Sequence, residues 1–161
     1  VIPTFDIATI TTQDANGEPD SNGVFCWTKG VVMGIDLDGN AGYSFTIWDN
    51  DGINIYNSAD VSGYVVTEGD SIMVRGTVGQ FNGLTQFSPD SIILVNQGNT
   101  IPSPTVVSSL SEMYESELVR IENFYVIDNP ANSGSFNVTL SNGSDTVSMR
   151  IDSDTDIDGN G

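Results

Sequence analysis

The chain contains no histidine, one cysteine and only four cations, Lys29, Arg75, Arg120 and Arg150, against 22 Asp and Glu in 161 residues. Each shortage excludes something. Without His, neither a Ser-His-Asp triad nor a Cys-His dyad can be assembled, and the common zinc sites lose their principal ligand. With one cysteine there is no internal disulfide. Cys26, inside Val24-Phe25-Cys26-Trp27-Thr28, reads as a small buried strand residue, since no base is at hand to activate it. Affinity for nucleic acid rests largely on Lys and Arg displacing counterions, and a net charge of −18 opposes it. The same charge is repelled by anionic lipid, and no apolar run approaches the roughly 20 residues of a membrane-spanning helix.

What remains is a globular β composition: 38% hydrophobic, 9% aromatic and 17 glycines. Short β-branched and aromatic runs alternate with Asn, Asp, Ser and Gly, as in sandwiches and small barrels. Strands are expected at about 24–35, 43–49, 52–57, 71–81, 84–95, 117–127, 135–140 and 145–151 on this pattern. Asn82-Gly83 carries the type I′ hairpin signature, and Asp51-Gly52 reads as a second turn of the same kind. Pro89 within the fifth run predicts a bulge or an edge position. Ile101-Pro102-Ser103-Pro104 reads as a stiff linker, and Ser109-Leu110-Ser111-Glu112 as a capping box opening a short helix to about Ser116.

The boundary divides the chain into residues 1–100, a linker and helix over 101–116, and a β meander over 117–161. Asp36 aligns with Asp128, Phe45 with Phe136 and Asn57-Ser58 with Asp152-Ser153 at a near-constant offset, the mark of a tandem duplication. Two unrelated β meanders would give a similar picture. If the duplication holds, the second unit stops at Gly161 before any counterpart of the 71–95 hairpin. The expectation is then that the natural chain continues or a partner completes it.

Strand lengths and order predict an all-β, Greek-key OB-fold barrel followed by a partial second OB-like unit. The residues Phe45-Thr46-Ile47-Trp48-Asp49, Gly52-Ile53-Asn54-Ile55-Tyr56, Glu68-Gly69-Asp70 and Gly76 to Gln86 resemble the OB-fold domains of secreted bacterial proteins. Such domains occur beside extracellular nucleases and in type IX-secreted surface proteins. The resemblance implies a secreted or cell-surface location and does not specify an activity, because the fold hosts many.

Two sets of residues are candidates for function. Asp152, Asp154, Asp156 and Asp158 alternate up to Gly159, like the opening of a calcium loop, although the closing bidentate acid is missing. A solvated acidic end is the plainer reading. Asp36 with Asp38, and Asp49 with Asp51, form weaker versions that a Gly turn also explains. Trp48 and Tyr56, on the strands with which OB-folds hold ligands, are candidates for a stacking platform, whereas Tyr43 and Phe45 belong with the core. With so many acids, a pair of carboxylates carries no catalytic signal. The sequence therefore points to a non-catalytic extracellular structural or binding module, braced by calcium and pairing with copies of itself or other chains. The alternative is an accessory domain of an extracellular nuclease that holds nucleic acid or polysaccharide.

Overall fold

The computed structural model describes residues 1–39, 41–128 and 134–157. Five strands close into a barrel: β1 (Phe25–Met33), β2 (Tyr43–Trp48), β3 (Gly52–Asn57), β4 (Ser71–Phe81) and β5 (Leu84–Asn96), in the order β1-β2-β3-β5-β4. All pairings are antiparallel except the β3–β5 seam, which joins in parallel at Asn54↔Gln86 and Ile55↔Phe87. This is the five-stranded Greek-key barrel of an OB-fold. Alternation drives it: in β1 the residues Cys26, Thr28, Gly30 and Val32 turn inward, and in β2 Tyr43, Phe45 and Ile47 do so. The hydrophobic core comprises Cys26, Val32, Tyr43, Phe45 and Ile47 of these with Ile53, Ile55, Ile72, Val74, Val78, Phe87 and Ile92. Cys26 is buried and free, and burial pushes its thiol pKa up.

A four-residue helix, α1 (Ile7–Ile10), plugs the barrel with Ile7 and Ile10, both fully buried. It is too short to leave a helical period in the sequence. Asn82 and Gly83 both take positive φ (51° and 93°), as a type I′ turn requires. The β2–β3 connection differs from the expected Asp51-Gly52 turn. Its left-handed residue is Asn50 (φ 61°), and Gly52 already belongs to β3, opposite Trp48. Pro89 does mark a bulge: Gly76 pairs with Pro89 and Arg75 with Ser91, leaving Asp90 as the extra residue. At this point a Cβ on Gly76 would collide with the Ser88 carbonyl.

Beyond the barrel, β6 (Thr105–Val107) runs parallel to β7 (Val119–Ile121), and β8 (Tyr125–Val126), β9 (Phe136–Ser141) and β10 (Thr146–Ile151) form an antiparallel meander. The single strand expected over 117–127 is thus two short ones, broken where Asn123 takes φ 61°. The expected helix after Ser109 is one 3-10 turn, Glu112–Tyr114, and its N-cap, Ser111, makes no side-chain cap bond. A small second core gathers Val138, Leu140 and Ile151 with Ile121, Phe124, Phe136 and Val147. No helix among the described residues is long and apolar enough to cross a membrane.

Candidate functional site

The outward face of β2 and β3 is where an OB-fold holds its ligands. Register places Ser44, Thr46 and Trp48 there from β2, and Gly52, Asn54 and Tyr56 from β3. Trp48 and Tyr56 share this face, as expected, but do not form one platform. Trp48 pairs with Gly52 and Tyr56 with Ser44, so the two rings stand at opposite ends of the hairpin, roughly 13 Å apart along the strand.

The Trp48 end is already occupied by the chain itself. The segment Glu112–Leu118 crosses it as a strap. The Ser116 carbonyl sits where a Cβ on Gly52 would be, so only glycine admits the strap at this distance. The Trp48 indole N–H donates to Glu117 Oε2 at 3.2 Å. The Thr85 backbone N–H donates to Glu115 Oε1 at 2.7 Å. Gln13 reaches both Glu112 Oε1 (3.3 Å) and Glu115 Oε2 (3.4 Å) through its amide nitrogen. Ser116 takes φ 56°, the backbone turn that presents its carbonyl to the sheet. Every carboxylate in these contacts is matched to a neutral donor. Burial raises the pKa of Glu115, and nearby Glu112 adds to it. Burial likewise raises that of Glu117, with Asp51 adding to it. Tyr56, 41% exposed, stands at the other end.

The acidic loops also have local duties. Asp36 Oδ1 accepts the backbone N–H groups of Asp38 (3.1 Å) and Ser44 (2.8 Å). Asp51 accepts the Gly52 N–H (2.9 Å) and the Thr11 hydroxyl (2.7 Å), and Asp49 accepts the Asn50 side-chain amide (3.2 Å). Asp152 accepts the Asp154 N–H and the Ser135 hydroxyl, with Arg150 3.7 Å away; its pKa is lowered, chiefly by the Asp154 N–H. Asp154 packs against Gly39, its carboxyl carbon 2.7 Å from where a Cβ would stand, so the structure brings the 36–39 and 152–156 loops together. Asp38 Oδ2 closes on Gly42 in the same way. Asp156 is exposed, and Asp158 lies outside the described residues. Among the described residues no three acidic or cysteine side chains converge as a metal cage.

One constellation had no counterpart in the sequence reading. Arg75 on β4 lies beside Phe25 and Trp27 of β1, its guanidinium carbon 5.9 Å and 5.4 Å from their ring centroids, and its Nε is 2.7 Å from Asp90 Oδ1. The spacing of Phe25, Trp27 and Lys29 at every second residue was the available signal, since it puts all three on one strand face.

No family model matches the chain. One curated relative is Endonuclease YhcR of Bacillus subtilis (strain 168), 32% identical over 100 residues, covering 55% of this chain and 8% of the endonuclease. The chain thus spans a small fraction of that relative's length. Among solved structures, the OBody AM1L10 bound to hen egg-white lysozyme is similar with a TM-score of 0.41 and 15% identity, over 55% of this chain and 93% of that one.

Proposed function

We propose that this chain is a non-catalytic extracellular module that braces or spaces parts of a larger secreted assembly. One observation carries the reading: the strap Glu112–Leu118 occupies the ligand face of the barrel at Trp48 and Gly52. A face used to seat the chain's own following segment serves cohesion between units. The acidic surface supports the same reading, because single-stranded nucleic acid needs a positive groove beside its stacking residues. Near Trp48 the charged partners are Glu117 and Asp51.

The likeness to a piece of an endonuclease favours a second reading, an accessory domain that positions nucleic acid for a nuclease elsewhere. The two readings differ in a direct measurement. Fluorescence anisotropy of labelled oligothymidylate at low salt, with and without calcium, should show no binding if the module is structural. Salt-dependent binding that is lost in Tyr56→Ala would establish the accessory reading instead. Calcium and self-association belong to the first reading. The support for calcium is the meeting of the 36–39 and 152–156 loops through Asp154 and Gly39. The support for association is the meander's outer strands, β8 and β10, each paired on one side only among the described residues.

A further inference from the structure

The outward face of β1 and β4 is unlike the rest of the surface. Register sets Phe25 opposite Thr77, Trp27 opposite Arg75 and Lys29 opposite Met73. Two of the chain's four cations therefore stand on one sheet face, interleaved with two aromatic rings. The acid aimed at them is Asp90, and it is paired with Arg75. Within a protein of net charge −18 this patch carries one net positive charge from Lys29, Arg75 and Asp90.

The patch is also built. Asp90 is the bulge residue of β5, and bulges re-aim a side chain out of the regular ladder. The bulge needs Pro89 on one strand and the missing Cβ of Gly76 on the other. Its consequence is a guanidinium held at Nε by a carboxylate and flanked by two rings. Arg75 keeps about a third of its side chain exposed (33%), Asp90 about half (49%) and Phe25 41%. A side chain fixed in this way loses little further freedom when something binds.

From this arrangement we infer that the Phe25–Trp27–Arg75–Asp90 face binds an uncharged saccharide, a role that goes beyond bracing, which needs no ligand. Arg75 lies over the Phe25 and Trp27 rings, and the ring surface it leaves uncovered offers apolar carbon to the C–H side of a sugar ring. The guanidinium and carboxylate beside them supply donors and an acceptor for its hydroxyls. Charge selects against the other ring-bearing ligands. A polyanion such as nucleic acid meets repulsion from the remaining surface, and a cation meets Lys29 and Arg75. A neutral glycan is the class that neither field opposes. The face is distinct from the β2–β3 face that the strap occupies.

The test is a titration of the isotope-labelled chain with cellohexaose, laminarihexaose, maltohexaose and xylohexaose, followed at the two indole N–H signals assigned through Trp48→Phe. At least one glycan should shift the Trp27 signal while leaving that of Trp48 in place, with an affinity unchanged by added salt. Phe25→Ala and Arg75→Gln should each weaken it about tenfold, with spectral dispersion confirming that both variants fold. Tyr56→Ala should bind as the parent does. The inference is overturned if no glycan moves the Trp27 signal at millimolar concentration, or if both variants bind unchanged. It is also overturned if oligothymidylate shifts Trp27 in place of the sugars. Oligothymidylate binding confined to Tyr56 would instead bear on the bracing role and leave this face untouched.

Discussion

Thr28 shows how single residues are constrained in this barrel. It points inward from β1, is fully buried, and its hydroxyl has no hydrogen-bond partner among the described residues. A buried hydroxyl without a partner costs about 1–3 kcal/mol, and valine has nearly its shape. Thr28→Val is therefore expected to stabilise the fold by about 1 kcal/mol, read as a higher urea midpoint with an unchanged slope. Among the described residues the other buried side-chain polar atoms are answered. Tyr43, 2% exposed, places its hydroxyl 3.0 Å and 2.7 Å from the carbonyls of Val61 and Tyr64. The Tyr64 hydroxyl donates to Asp70, and burial with that carboxylate pushes its pKa far up. Which residues are core was legible in the sequence, since alternation fixes the parity of a strand face. Whether an inward Thr finds a partner was not, because that depends on neighbours brought from distant strands.

At the scale of elements, the strap is the informative feature. Gly52→Ala places a methyl into the Ser116 carbonyl and should lift the strap, costing about 1–3 kcal/mol and shifting Trp48 emission as the indole loses Glu117. Gly79→Ala, with open space around its Cβ, is the control that should cost far less. The strap's seating should also depend on pH. Glu115 and Glu117 have raised folded pKa values, so the folded state binds more protons than the unfolded one. Their linkage weakens the seating as pH climbs through those raised values and strengthens it as pH falls back through them. Protection of the Thr85 amide against exchange should accordingly be greater near about pH 5 than near about pH 7. Asp14, Asp128 and Asp152 act in the opposite sense. Their pKa values are lowered by backbone or side-chain donors, so their contribution is present above the ordinary value and is lost as pH falls through the lowered one. The sequence revealed β2 to β5 almost residue for residue, because Asn82-Gly83 and the Pro89 bulge are decided by local backbone chemistry. It did not reveal β6, and it read β7 and β8 as one strand, because elements of two or three residues depend on pairing. Placing the turn at Asp51-Gly52 instead of around Asn50 also hid how far apart Trp48 and Tyr56 stand. Asp36 and Asp128 each accept a backbone N–H from the following strand, that of Ser44 and of Thr139.

For the whole molecule, charge is the dominant quantity. A net −18 over 161 residues repels itself in the compact state, so raising ionic strength should raise the melting temperature. Calcium should add to this beyond a sodium chloride control of equal ionic strength, and Asp38→Ala with Asp154→Ala should remove the excess. Equal melting curves in the two salts would reject calcium binding at those loops. The barrel that carries this charge is closed unevenly. β4 and β5 pair along their whole length, whereas β3 and β5 meet at two register positions only. β1 and β2 are joined at three positions, so the β3–β5 seam is the shortest ladder of the ring and one place where it can come undone. Opening there leaves the rest as one continuous curled sheet, with β3 and β5 as its two bare edges. Each bare edge is then a template for the matching strand of another molecule, so the parallel seam is the point at which this fold is susceptible to strand exchange.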